Sequence, residues 1–143
     1  MVYDDRFIDP LEKKAQKTAG SLHKIDQIDV SILQTLDYEY PQRKIEVNMF
    51  TDEFTCVCPF SGLPDFAKLT ILYTPRLKLI EMKSLKYYLY AFRGVRVYNE
   101  HVVNKILQDL IDVLNPWSIR ITAQFTSRGG MLNTVTAQHA AKK

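Results

Sequence analysis

Cys58 and Asp65 stand seven residues apart on the stretch Glu53-Phe54-Thr55-Cys56-Val57-Cys58-Pro59-Phe60-Ser61-Gly62-Leu63-Pro64-Asp65-Phe66, which combines a thiol, a carboxyl group and rigid turn residues. A thiol attacks an electrophile only as its thiolate. An aspartate on the same proline-braced loop could take that proton and return it to the nitrogen of a substrate. The purely structural alternative makes Cys58 a small packing residue and Asp65 a turn or helix cap, the commoner fate of a free cysteine. Cys56, taken to point away from Cys58 across an extended segment, reads as structural, and both cysteines read as free thiols. The three histidines, His23, His101 and His139, are scattered and fit no zinc spacing, so no metal is expected.

A second constellation is basic. Net charge is only +3, but residues 76–96 hold Arg76, Lys78, Lys83, Lys86, Arg93 and Arg96 against the single acid Glu81. Such a cluster is either a solvated face or a site for phosphates. Lys83 just before a helix and Lys86 one turn along would join the partial positive charge of the helix N-terminus in meeting phosphate oxygens.

The elements that must position these groups follow from periodicity. A short helix is expected over Leu11 to Ala19, ending at Gly20, within a polar arm that spans residues 1–40. From Lys44, the residues Ile45, Val47 and Met49 alternate with polar ones as in a half-buried strand, and a loop follows from Cys58 to Asp65. Lys68–Thr74 and Leu77–Met82 read as a hairpin across Pro75-Arg76. Leu85, Tyr88, Leu89 and Phe92 recur at helical spacing, with Ser84 as the expected N-cap and Gly94 as the stop. The strongest amphipathic helix runs through Val102, Val103, Ile106, Leu107, Leu110, Ile111 and Leu114 to Asn115-Pro116. Ile119, Ile121, Ala123 and Phe125 mark a strand, Arg128-Gly129-Gly130 a turn, and Met131–Gln138 a last strand. The order predicts an α+β domain over residues 41–143, an antiparallel sheet with two helices on one face.

Composition agrees with a globular chain, with 46% hydrophobic and 24% charged residues. The longest apolar runs, such as Leu69–Tyr73, fall far short of the ~20 residues of a membrane span. The start Met1-Val2-Tyr3-Asp4-Asp5 lacks the basic and apolar regions of a signal peptide, so a cytoplasmic location is expected.

From Glu53-Phe54-Thr55 through Cys58-Pro59 to Pro64-Asp65-Phe66 the sequence resembles, residue by residue, the nucleophile loop of the 7-cyano-7-deazaguanine reductases. These nitrile reductases, often called QueF, belong to the tunnelling fold (T-fold) shared with GTP cyclohydrolase I, and the similarity runs from about Glu46 to Val135. The resemblance implies that Cys58 adds to the nitrile to form a thioimide and that Asp65 protonates the nitrile nitrogen. Glu81-Met82-Lys83-Ser84-Leu85-Lys86-Tyr87-Tyr88 is similar to the family's nicotinamide-cofactor signature, with Met82 where Ser or Leu is usual. It implies that Lys83, Ser84 and Lys86 bind NADPH, with Arg128 and Gly129 near the same cofactor. Tyr98-Asn99-Glu100 stands where the family commonly shows an aromatic, a His and a Glu. Glu100 would then accept the paired N–H donors of a guanine-like edge, with Tyr98 stacking on the base. Asn99 departs from the pattern, because an amide hydrogen-bonds the substrate but neither takes nor gives a proton. His101, two residues on, would point to another side of a helix.

The resemblance implies reduction of 7-cyano-7-deazaguanine by two NADPH to the aminomethyl compound, a precursor of the tRNA nucleoside queuosine. It also implies a homo-oligomer in which subunits assemble into a barrel, as rings paired face to face. The alternative is the archaeal QueF-like branch, an amidinotransferase that adds ammonia to the nitrile already carried by tRNA, giving archaeosine, and that needs no NADPH.

Overall fold

The structure, a computed structural model, describes residues 9–19 and 23–142. Four long strands carry it: β3 (Val47–Val57), β4 (Pro64–Thr74), β7 (Ser118–Arg128) and β8 (Met131–Ala140), with short β1 (His23–Lys24), β2 (Thr35–Asp37), β5 (Lys78–Ile80) and β6 (Val95–Arg96). The helices are α1 (Pro10–Ala19), α2 (Met82–Tyr90) and α3 (Asn99–Leu114). The main sheet runs β1-β6-β3-β4-β7-β8, antiparallel among the long strands and parallel only where β6 joins β1 and β3.

One face of this sheet is apolar because alternate residues of each strand are. Ala67, Leu69, Ile71 and Tyr73 of β4 lie beside Phe125, Ala123, Ile121 and Ile119 of β7, all buried. The stripes of α2 and α3 cover that face with Leu85, Tyr88, Val102, Ile106, Leu110 and Leu114. Complete burial of side chains of this size is worth about 1.5–3 kcal/mol each, which is why the two helices dock there. Asn115 closes α3 in the left-handed conformation (φ 44°), with its N–H on the Ile111 carbonyl, and Pro116 prevents continuation.

Three expectations are corrected. Residues 68–74 do not pair with 77–82: β4 turns back from β3 through Cys58–Leu63, and β5 pairs instead with β2 in a separate two-stranded sheet. β4 is already flanked by β3 and β7, and the Ile80 N–H donates to the Tyr73 hydroxyl at 3.0 Å, which fixes β5 off the sheet. Asp65 is therefore on a strand and not in the loop. The N-cap of α2 is Glu81, whose carboxylate accepts from the Lys83 and Ser84 N–H groups at 2.9 and 2.7 Å, so Ser84 is already inside the helix. The first strand begins at Val47, and residues 44–46 precede it, exposed.

The described part of the N-terminal arm lies against the domain. α1 packs on α2 and on the 3-10 turn Ala91–Gly94, and Ala15, Ile28, Ile32 and Leu33 are buried in the common core. Gly20, the expected end of α1, lies outside the described residues. Among the described residues no helix is long and apolar enough to cross a membrane.

Candidate active site

Two irregularities in the sheet bring Cys58 together with its neighbours. In β3 the register runs Thr51 with Leu69 and then Phe54 with Ala67, so one extra residue is inserted on the β3 side. A bulge of this kind reverses which alternate side chains face inward. Before it Val47, Met49 and Thr51 face the helices; after it Phe54 and Cys56 do, and Cys58 continues that row. Cys56 and Cys58 thus share a side instead of opposing each other, as a spacing of two on extended backbone requires. In β7 the pairs Phe125 with Asn133 and Arg128 with Met131 enclose a second extra residue, which re-aims Arg128 in the same way.

Asp65 is opposite Cys56 in the ladder and belongs to the buried row of β4. Its carboxylate meets the Arg128 guanidinium at 2.5 Å, Asp65 being buried and Arg128 half exposed. The charge of the same guanidinium favours the Cys58 thiolate. Arg128 ends β7 just before Gly129 and Gly130, whose φ values of 56° and 78° make the two-residue turn that a side chain with a Cβ would strain. Sulfur, carboxylate and guanidinium thus converge from three adjacent strand ends.

The Cys58 loop is closed on itself. Cys58 N–H donates to the Leu63 carbonyl and Gly62 N–H to the Cys58 carbonyl, both at 2.9 Å, with Gly62 at φ 72°. Ser61 N–H points at the Cys58 Sγ at 3.5 Å. The partly exposed Cys58 thiol is lowered to about 7, first by the Ser61 side chain, then by the Ser61 and Phe60 N–H groups, burial opposing and Arg128 assisting. Burial, followed by the Asp65 and Cys58 charges, pushes buried Cys56 up to about 12. A thiol lowered this far is able to act as a nucleophile at neutral pH, whereas buried Cys56 packs in the core.

The α3 N-terminus lies at the same end of the sheet, since Val97 N–H donates to the Val57 carbonyl at 3.0 Å, one residue before Cys58. Tyr98 is exposed and packs edge-on against His101, centroids 5.8 Å apart. Asn99 holds its side-chain oxygen buried with no donor, an open hydrogen-bond position. Glu100 is exposed, and its carboxylate accepts from Asn133 of β8 at 3.4 Å.

The expected cofactor residues divide. A cleft of about 830 Å³ between α1, α2 and β3 is lined by Lys83, Lys86, Tyr87, Tyr90 and Arg93, together with Glu12 and Glu53. Lys83 in it is ion-paired to Asp9 at 2.7 Å, a bond that raises the lysine and lowers the aspartate from their ordinary values. Lys86 and Arg93 lie over the rings of Tyr87 and Tyr90. Cations and aromatic faces in one cleft suit a dinucleotide with phosphates and flat rings. Ser84 is not available to it: the residue is fully buried, its hydroxyl accepting from Gln34 N–H at 3.0 Å and donating to the Glu81 carbonyl at 2.7 Å. Arg128 and Gly129 lie with Cys58 and do not line this cleft. Sequence reasoning did not single out Ser61 or Tyr90, and reached Arg93 only as a member of the basic cluster; a hydroxyl three residues after the cysteine in a Gly turn was the available signal for the first.

Among the described residues no group of three His, Cys, Asp or Glu side chains could hold a metal ion. A family model described as "QueF-like protein" matches residues 64–143. The chain is 43% identical over 129 residues to the NADPH-dependent 7-cyano-7-deazaguanine reductase of Caldicellulosiruptor bescii, covering 90% of this chain and 98% of that protein. It is 45% identical over 126 residues to the protein of the same name from Caldanaerobacter subterraneus subsp. tengcongensis, covering 88% and 94%. A crystal structure of the apo archaeosine synthase QueF-Like has the same fold, with TM-score 0.60 and 19% identity over 70% of this chain and 96% of that one.

Proposed function

Because this chain belongs to the QueF family, we propose that it is an NADPH-dependent oxidoreductase that reduces the nitrile of 7-cyano-7-deazaguanine to the 7-aminomethyl compound. The relatives that match it over nine-tenths of its length carry that activity in their names. The observation that carries the mechanism is the placement of Asp65 on β4 opposite Cys56, two residues before Cys58 at the end of β3, with Arg128 held on the carboxylate. The Cys58 thiolate adds to the nitrile carbon, a C–S bond forms, and the π electrons move to nitrogen. That nitrogen takes one proton, delivered at Asp65, and the product is a covalent thioimide. NADPH supplies hydride, two equivalents being needed to pass from nitrile to amine.

Lys83, Lys86 and Arg93 of the α2 cleft would hold the cofactor's phosphates, with Asp9 giving up Lys83 to them. The cleft's charge and aromatic lining support that fit. Glu100 would accept the base's N–H and amino donors, and Asn99 offers an oxygen that still lacks one. Tyr98, exposed beside them, would cover the ring. Leaving such donors unpaired on binding would cost about 1–3 kcal/mol each, so this edge selects a guanine-like base.

A second reading is favoured by Asn99 and by the basic cluster of residues 76–96: an amidinotransferase on nitrile-bearing tRNA uses the same thioimide and releases it with ammonia. The test mixes pure protein, 7-cyano-7-deazaguanine and NADPH, with Cys58→Ala beside it. Nitrile-dependent NADPH oxidation, two per product and absent in the variant, is the expected result. A Cys58 adduct with cofactor untouched would reject reduction and direct the next assay to tRNA and ammonium.

A further inference from the structure

The Cys58 sulfur has partners from two sides, and neither belongs to the acid that must protonate the substrate. From its own loop comes the Ser61 N–H at 3.5 Å, held there by a turn in which the Ser61 hydroxyl accepts from Leu63 N–H at 3.2 Å. From the facing hairpin comes Arg128, whose guanidinium is held on Asp65, across the ladder from Cys56, and whose positive charge favours a thiolate at Cys58. The Gly62 turn holds the first set and the Gly129–Gly130 turn, with the β7 bulge behind it, aims the second.

We propose that Ser61 and Arg128 are positioning residues that hold Cys58 as a preformed thiolate, so that Asp65 serves only the nitrogen of the nitrile and never the thiol. This rests on the nitrile-reductase reading for the identity of the electrophile, but not for the state of the sulfur. The donors around Sγ stabilise an anion and not a neutral thiol, since a charged acceptor makes the stronger hydrogen bonds. Arg128 adds its charge and, by gripping Asp65 with the same group, sets the distance between nucleophile and acid. The thiol's proton is lost to solvent before the nitrile binds. The proton on the nitrogen then enters from solvent through Asp65, so one thiolate and one proton are consumed per thioimide formed. Assigning Arg128 to the sulfur and carboxylate distinguishes it from a cofactor ligand, which it would be if it faced the α2 cleft.

The experiment is the pH dependence of iodoacetamide labelling at Cys58, read by peptide mass spectrometry in the full-length protein without substrate or NADPH. The parent, Ser61→Ala, Arg128→Gln and Arg128→Lys are compared, folding being checked by circular dichroism and size. Ser61→Ala is expected to move the labelling midpoint up by about one pH unit, cutting the labelling rate at pH 6 about tenfold. Arg128→Gln moves it in the same direction by less, and Arg128→Lys, which keeps the charge, restores most of the difference. Steady-state rates add a second readout: Arg128→Gln lowers kcat and leaves KM for NADPH close to that of the parent. Unchanged midpoints in both variants, or a raised KM for NADPH with the midpoint unmoved, overturn the proposal. Labelling does not involve the nitrile, so a protein that labels as expected but fails to oxidise NADPH rejects the functional reading alone.

Discussion

At the scale of single residues, Cys56 and Cys58 show how far environment separates identical side chains. Both are on one strand end two residues apart, yet burial raises one thiol to about 12 while the Ser61 loop lowers the other to about 7. Only Cys58 therefore has appreciable thiolate at neutral pH. Asp65, by contrast, is buried and gripped by Arg128, with a fixed line to the sulfur's neighbourhood. Replacing Asp65 with Asn keeps shape and removes the acid. Asp65→Asn is expected to lower NADPH oxidation by at least about 100-fold, the usual worth of a positioned proton donor, while Cys58 still labels with iodoacetamide. Loss of labelling along with turnover would mean that the carboxylate is needed to form the nucleophile and is not confined to the later proton transfer. Asn99 remains the residue whose type departs from the family pattern, and its buried oxygen, which receives no hydrogen bond, is an acceptor open to a ligand's donor.

At the scale of elements, much was legible. The 3.6-residue stripe of α3 and the alternation of β7 were read correctly because each buries one face against the other. Strand pairing was not legible at β4 and β5, since two apolar runs around a proline look like a hairpin whichever partners they take. The bulges in β3 and β7 were equally hidden: one extra residue leaves no mark on composition, yet it decides which face Cys58 and Arg128 join. The α2 cap was misplaced for a simpler reason. Ser84 is a good cap by type, but Glu81 reaches two N–H groups from three residues earlier and Ser84 is buried under Gln34. Glu81→Ala is therefore expected to destabilise the protein by about 1 kcal/mol. Partial burial pushes the Glu81 carboxyl up, but bonds from Ser84 and Lys83 outweigh it and hold the group below its ordinary value. A lowered carboxylate stabilises the fold above its unfolded value, about 4.3, and that contribution is lost as pH falls through the folded value. Urea midpoints of parent and variant should thus differ clearly at pH 7 and converge near pH 3; an equal gap at both would remove the cap from the account.

At the scale of the molecule, one chain leaves its site unfinished. Phe60, Leu63, Met131 and Leu132 stand around the nucleophile end of the sheet with exposures of 93%, 62%, 75% and 66%. An apolar rim of that kind is costly in water and marks a surface to be covered. The sheet's edges are open as well: among the described residues β8 is unpaired along its outer side for all ten residues, and β3 meets β6 at the single pair Val57 and Arg96. Free edges of this length invite another strand. Two different edges on one subunit make a head-to-tail contact, which closes as a ring when the rotation allows. The proposed reaction, on a small base through a reactive imine, would also need enclosure, which a half-exposed Arg128 and an exposed Glu100 on one chain do not give. Analytical ultracentrifugation is therefore expected to give a whole multiple of 16.6 kDa, and specific activity should fall when dilution drives the mass down. A fully active species of single-chain mass would show that the rim and edges serve something other than the site.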